Sequence, residues 1–123
     1  MSYELKKAIE TLVKGRLEFM ILEVLSMEPC YGYKLIKTFR KLSYLGPSTI
    51  YPLLNDMEKR GLLTSGWKVE NGRPRKIYSL SPKGVDTLKK YIIADRFIRS
   101  ELNRQVAKQF QVILPEEVKI KNK

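Results

Sequence analysis

The chain has 123 residues, 43% of them hydrophobic, and carries +11 from 24 lysines and arginines against 13 acidic residues. That length fits one domain with a modest core, and the charge favours a polyanionic partner, either nucleic acid or an anionic membrane surface. Histidine is absent and Cys30 is the only cysteine, which excludes an intrachain disulfide, Cys- or His-based metal sites and His-activated nucleophiles. No apolar run approaches the ~20 residues that span a bilayer, and no signal-peptide layout opens the chain. No glycine-rich phosphate loop and no carboxylate pair in an apolar setting is present. A cytoplasmic protein without cofactor or metal, and not an enzyme, is expected.

Residues 2 to 13 read as a short helix, with Ser2 as cap and Leu5, Ile9, Leu12 and Val13 as its apolar stripe. Lys14-Gly15-Arg16 is expected to interrupt it. The next helix spans Leu17 to about Met27 and turns Leu17, Met20, Ile21, Val24 and Leu25 inward. Phe19 and Leu22 fall on its other side, so the helix reads as a central core element whose second side needs a cover of its own, with another subunit as the candidate. A further helix, Tyr31 to about Leu42, buries Leu35, Ile36, Phe39 and Leu42 and projects Lys34, Lys37, Arg40 and Lys41 outward. Cys30 at its entrance reads as a half-buried structural thiol. Tyr31 and Tyr33 stand at the helix N-terminus, where backbone N–H groups can receive a phosphate. For Tyr33, partial core burial is the competing reading.

The stretch from Gly46 to Leu63 is the most informative. Gly46-Pro47-Ser48 signals a helix start, and Arg60-Gly61 a stop. Ile50, Leu53, Leu54 and Met57 recur at i, i+3, i+4, i+7 and form a buried side. Ser48, Tyr51 and Asn55 share the other side, with Thr49 and Pro52 beside them and no charge among the five. A solvated face would carry Lys and Glu. Hydroxyls, an amide and a phenol instead suit base-pair edges in a major groove. From Pro29 through Asn55 there is no acidic residue, as a surface approaching phosphates requires. Two helices joined by a short turn, the second with this face, give helix-turn-helix geometry.

After Gly61 the period changes. Leu63–Glu70 and Arg73–Leu80 are strand-like, and Asn71-Gly72 between them is a strong two-residue hairpin signal that sets Glu70 against Arg73. Pro74 demands a sheet edge or a strand end free of pairing. The basic tip, with Arg73, Arg75 and Lys76, reads as a wing that meets phosphates or reaches into a minor groove. Ser81-Pro82 then opens a helix that can run to about Ile113, before Pro115. Along it Ala94, Ile98, Leu102, Val106 and Phe110 recur every four residues, joined by Leu88, Tyr91, Ile92 and Ile113. Such a helix outlasts the core of one small domain, so its distal half is expected to pair with a second copy about a two-fold axis.

Taken together, these motifs resemble the PadR-like transcriptional regulators. The matching residues are Leu17-Glu18, Tyr31-Gly32-Tyr33 with Leu35, Ser48 through Leu54, Met57-Glu58 with Gly61-Leu62-Leu63, Gly72 through Lys76 with Tyr78, and Leu80 through Gly84. The resemblance covers roughly residues 15 to 88 and follows family order and spacing. It implies a winged helix-turn-helix with a C-terminal dimerisation helix, binding operator DNA as a homodimer, usually in repression. Relatives release DNA on binding phenolic acids or other aromatic or hydrophobic compounds. Tyr31, Ser48, Thr49, Tyr51 and the wing residues Arg73, Arg75 and Lys76 match the family's DNA-facing positions. The last helix carries no tryptophan, which departs from the drug-stacking arrangement of some relatives.

The expected fold is therefore mostly α with a small β-hairpin. Residues 1–80 form the winged DNA-binding domain, 81–114 a dimerisation helix and 115–123 a basic tail. Double-stranded DNA is the expected partner, contacted by Tyr31, Tyr33, Lys34, Ser48, Thr49, Tyr51, Pro52, Asn55, Arg73, Arg75 and Lys76. A homodimer is expected through Phe19, Leu22, Tyr91, Ala94, Ile98, Leu102, Val106 and Phe110. A small effector and no membrane complete the expected partners. The alternative is a basic protein that binds DNA or RNA without sequence preference.

Overall fold

Ser2 caps the first helix by accepting the Leu5 N–H at 3.1 Å. The computed structural model describes residues 1–40, 42 and 46–110. The elements are α1 (Tyr3–Met27), β1 (Cys30–Tyr31), α2 (Gly32–Phe39), α3 (Pro47–Lys59), β2 (Leu63–Glu70), β3 (Arg73–Leu80) and α4 (Pro82–Phe110). This is the winged helix-turn-helix expected from the sequence, mostly helical with a small antiparallel sheet.

Three local expectations are corrected. Lys14-Gly15-Arg16 does not interrupt: α1 is one helix of 25 residues. A solvated glycine costs such a helix only about 1 kcal/mol relative to alanine, too little to break it. Of the stripe assigned to its first half, Val13 is buried and Ile9 half-buried, while Leu5 and Leu12 are exposed. The second correction concerns Phe19 and Leu22, which need no second subunit. Leu22 is 0% and Phe19 8% exposed within their own chain, because α1 is a central element with core on more than one side. Finally, α2 ends at Phe39 rather than Leu42, and Leu42 is exposed beyond the last buried turn. Lys41 lies outside the described residues.

The sheet is ordered β1-β3-β2. Cys30 and Tyr31 pair with Tyr78 and Ile77, a strand too short to show any period in the sequence. Cys30 is fully rather than half buried, and that burial pushes its thiol pKa up. β2 and β3 pair from Leu63↔Leu80 to Glu70↔Arg73. The two turn residues, Asn71 (φ 51°) and Gly72 (φ 74°), are both left-handed, as a tight hairpin requires. Glu70 and Arg73 flank that turn as a hydrogen-bonded pair. The next pair, Val69↔Pro74, is then a non-bonded one, so Pro74 lacks an N–H only on the side β1 does not reach.

The end of α3 carries most of the junctions. Gly61 (φ 79°) donates to the Glu58 carbonyl and Leu62 to the Met57 carbonyl, both at 2.9 Å, which closes the helix in a Schellman turn. The first turn of α4 then docks on what is left. Ser81 donates its N–H to the Leu62 carbonyl at 3.1 Å and its hydroxyl to the Gly61 carbonyl at 2.5 Å, while Lys83 reaches the Arg60 carbonyl at 2.8 Å. The Ser81 oxygen also accepts the Gly84 N–H at 3.0 Å and so caps α4. A Cβ on Gly84 would lie 2.0 Å from the Leu62 carbonyl oxygen.

The chain divides into two compact units, Met1–Leu88 and Lys89–Lys123. In the first, Leu35, Ile36 and Phe39 of α2, Ile50, Leu54 and Met57 of α3, and Leu88 of α4 join the α1 residues in the core. In the second, α4 exposes Ala94, Ile98, Leu102 and Phe110, and also Ile93 and Phe97, while Tyr91, Ile92 and Val106 are half-buried. Ile113 lies outside the described residues.

Two glycines should respond in opposite directions to alanine. Nothing lies within 4 Å of a Cβ on Gly15, so Gly15→Ala should raise unfolding stability by about 0.5–1 kcal/mol. Gly84→Ala should lower it by about 1–3 kcal/mol through the clash with Leu62. Urea unfolding followed by circular dichroism measures both.

Candidate nucleic-acid interface

On α3, the buried side of Ile50, Leu54 and Met57 leaves Ser48, Thr49, Tyr51, Pro52 and Asn55 exposed together, with Leu53 half-buried. Gly46 is the N-cap residue and Pro47 sits in the first turn. Pro52 lies inside the helix and has no N–H to give the Ser48 carbonyl. The seat of Tyr51 is set from α2. Its ring lies so close over Gly32 that a Cβ there would fall 2.4 Å from Tyr51 Cε1. Only glycine admits that approach.

The wing brings the cations. The Arg75 guanidinium stacks over the Tyr31 ring, 4.2 Å from its centroid, and Lys76 Nζ lies 5.4 Å from the centre of Tyr78. On α2, Lys37 sits 5.8 Å over Tyr33. Tyr31, Tyr33, Tyr51, Trp67, Arg75 and Tyr78 are among the residues lining one open cleft of ≈ 350 Å³. The start of α2, the outer face of α3 and the wing therefore meet at a single surface. Of the eleven residues singled out from the sequence, Tyr31, Tyr33, Tyr51, Arg75 and Lys76 line the cleft. Ser48, Thr49, Pro52 and Asn55 continue the exposed face of α3, and Arg73 lies at the hairpin tip.

Two of the cations carry a protein carboxylate. Glu28, just outside the acid-free run, folds back on Lys34; the contact lowers the Glu28 pKa and raises that of Lys34. Glu58, one helical turn beyond Asn55, accepts from the Ser65 hydroxyl and pairs with Lys76 at 3.2 Å. Its carboxyl is held below the ordinary range, first by Ser65 and then by Lys76, and Lys76 is raised in turn. Sequence runs without acids are thus not surfaces without acids. Glu58 was missed because its partners lie 7 and 18 residues away along the chain, beyond any local pattern. Trp67 was missed as well, although the alternation of Ser65, Trp67 and Val69 marked one strand face. By contrast, Arg73 and Lys68 carry no ion pair among the described residues.

Residues 21–90 match the model of the transcriptional regulator PadR-like family. The chain belongs to that family. A transcriptional regulator of Mycobacterium tuberculosis is 39% identical over 62 residues, which cover 50% of this chain and 54% of that protein. This PadR-like chain thus spans about half the length of that relative. A PadR family regulator of Clostridium difficile superposes with a TM-score of 0.64 at 31% identity, over 79% of this chain and 99% of that one. One from Eggerthella lenta gives 0.72 at 27% identity, over 83% and 91%. The family and its relatives are transcriptional regulators rather than enzymes, and DNA is what such regulators bind. Among the described residues, no acid, cysteine or histidine cluster could hold a metal, and no helix is long and apolar enough to cross a membrane.

The Glu58–Lys76 pair makes an electrostatic prediction for this PadR-like wing. Glu58→Gln frees the Lys76 charge, so the slope of log affinity against log salt on duplex DNA should steepen by about one unit. Lys76→Gln should change it by less than Arg73→Gln, which removes an unpaired cation and about one unit of slope. Fluorescence anisotropy titrations at several salt concentrations measure all three.

Proposed function

We propose that this PadR-like chain is a homodimeric, sequence-specific operator-binding regulator that acts as a repressor. The observation carrying this reading is the outer face of α3. Its exposed side chains Ser48, Thr49, Tyr51 and Asn55 are uncharged donors and acceptors, flanked by cations of α2 and the wing. A binder that neutralises phosphates alone needs only cations; short polar groups on the leading helix serve base edges. Tyr31, Tyr33 and Lys34 at the start of α2, and Arg73, Arg75 and Lys76 on the wing, then position α3 through the backbone.

The dimer rests on α4. Ala94, Ile98, Leu102 and Phe110 are exposed along the helix with half-buried Val106 between them, a stripe long enough to need a partner of like shape. Tyr91 is half-buried beside it, and Ile93 and Phe97 widen the apolar arc. Phe19 and Leu22 drop out of the seam because their own chain covers them. Pairing about a two-fold axis would set the two copies of α3 about one DNA turn, ~34 Å, apart. Repression, and release by an aromatic or hydrophobic effector, come from the family resemblance. An effector held between the two copies would act by changing that spacing.

Selection from random duplex DNA should enrich a pseudo-palindrome; recovery of no motif would favour the non-specific binder. At the selected site, Thr49→Ala and Tyr51→Ala should each cost about 1–3 kcal/mol while leaving binding to random DNA nearly intact. Equal losses on both duplexes would remove α3 from base reading. Leu102→Glu should give a monomer in sedimentation and weaken operator binding greatly. An undisturbed dimer would overturn the α4 seam.

A further inference from the structure

Trp67 is the chain's only tryptophan, and it stands 73% exposed on β2. Val69, two residues further, is 71% exposed. Strand alternation puts both on one face of the hairpin, and the pairing sets Lys76 opposite Trp67 and Pro74 opposite Val69. Nearer the base, the same face carries Ser65 and Tyr78, and there Glu58 of α3 holds it. The face that meets α3 at the foot of the wing therefore continues outward as an uncovered apolar patch of Trp67, Val69 and Pro74.

A lone exposed apolar residue is ordinary on any surface. Here three are contiguous, and their surroundings restrict what can cover them. Trp67 lines the same cleft as Tyr51, so the patch is continuous with the outer face of α3. Lys68, Arg73 and Arg75 alternate onto the other face of the same narrow hairpin, while Lys76, on the patch's own face, pairs with Glu58. An apolar face on a narrow hairpin whose other face carries cations is complementary to a nucleic-acid groove, whose walls are deoxyribose and whose edges are phosphate.

We propose that Trp67, with Val69 and Pro74, is an apolar DNA contact, laid by the wing against the sugar walls and base-step edges of a minor groove. Lys68, Arg73 and Arg75, on the other face of the hairpin, meet the phosphates that border that groove. This inference rests on the operator-binding reading above and adds to it a contact of a different chemical kind. A phosphate contact displaces counterions, whereas an apolar one displaces none, so the two leave different salt signatures.

Excited at the red edge of the indole band, beyond tyrosine absorption, the intrinsic fluorescence of this protein reports Trp67 alone. On saturation with the selected operator duplex, its quenching by acrylamide should fall severalfold. Trp67→Ala should weaken operator binding about tenfold with the salt slope unchanged, and Trp67→Phe should restore most of the loss. The exposed side chain can be replaced without disturbing the core. Anisotropy of a labelled duplex that shows binding while the indole stays fully quenchable would overturn the inference and leave the regulator reading intact. So would wild-type affinity for Trp67→Ala. An indole already shielded before DNA is added would also overturn it, since a second copy would then own this face. Absence of any binding to the selected duplex would overturn the regulator reading, and this contact with it.

Discussion

The backbone carbonyls of Arg60, Gly61 and Leu62 tie this fold together. A helix leaves its last carbonyls without intrahelical partners, and here Ser81 and Lys83 take those that follow the close of α3. Both feet of the wing, Leu63 and Leu80, are paired beside this junction, and α4 begins from it. The end of α3, the base of the wing and the first turn of α4 are therefore fixed by one set of hydrogen bonds. Gly84 belongs to the same arrangement, because any side chain there would displace the Leu62 carbonyl.

A second tie, Glu58, works further out. Its carboxylate joins α3 to both strands of the hairpin through Ser65 and Lys76. About a third exposed, this ion pair is in the class that contributes little to stability. Its effect is on angle and charge: it holds the wing against α3 and withholds one cation from solvent. At the start of α2, Glu28 pairs with Lys34 in the open and offsets its charge. The surface shared by α2, α3 and the wing is thus less positive than a count of its lysines and arginines suggests.

What was legible in the sequence was what local chemistry decides. Asn71-Gly72 announces a two-residue hairpin, Ser81-Pro82 a capped helix, and the spacing of Ile50, Leu54 and Met57 a helix with one buried side. Each is complete within a few residues. The exposed face of α3 followed directly, as the remainder of that helix. The unread features depend on residues distant along the chain. β1 is a strand only because Tyr78 and Ile77 come to pair with it. The apolar circumference of α1 fitted either a subunit interface or a central position, and only the packing separates the two. Gly15 misled because its cost within a helix is smaller than the gain from continuing one. At Glu58 and Trp67, the role comes from which element lies opposite, and no period records that.

Asn71 and Gly72 carry one more consequence. With both residues already left-handed and only two of them in the turn, the tip of the wing has almost no loop to order. Its strands are paired over their whole length before any ligand arrives. The hairpin is therefore a finished shape on its own, and docking would cost it little backbone entropy. The heat-capacity change contributed by the wing should then match the surface it covers, without the larger signature of a segment that folds as it binds.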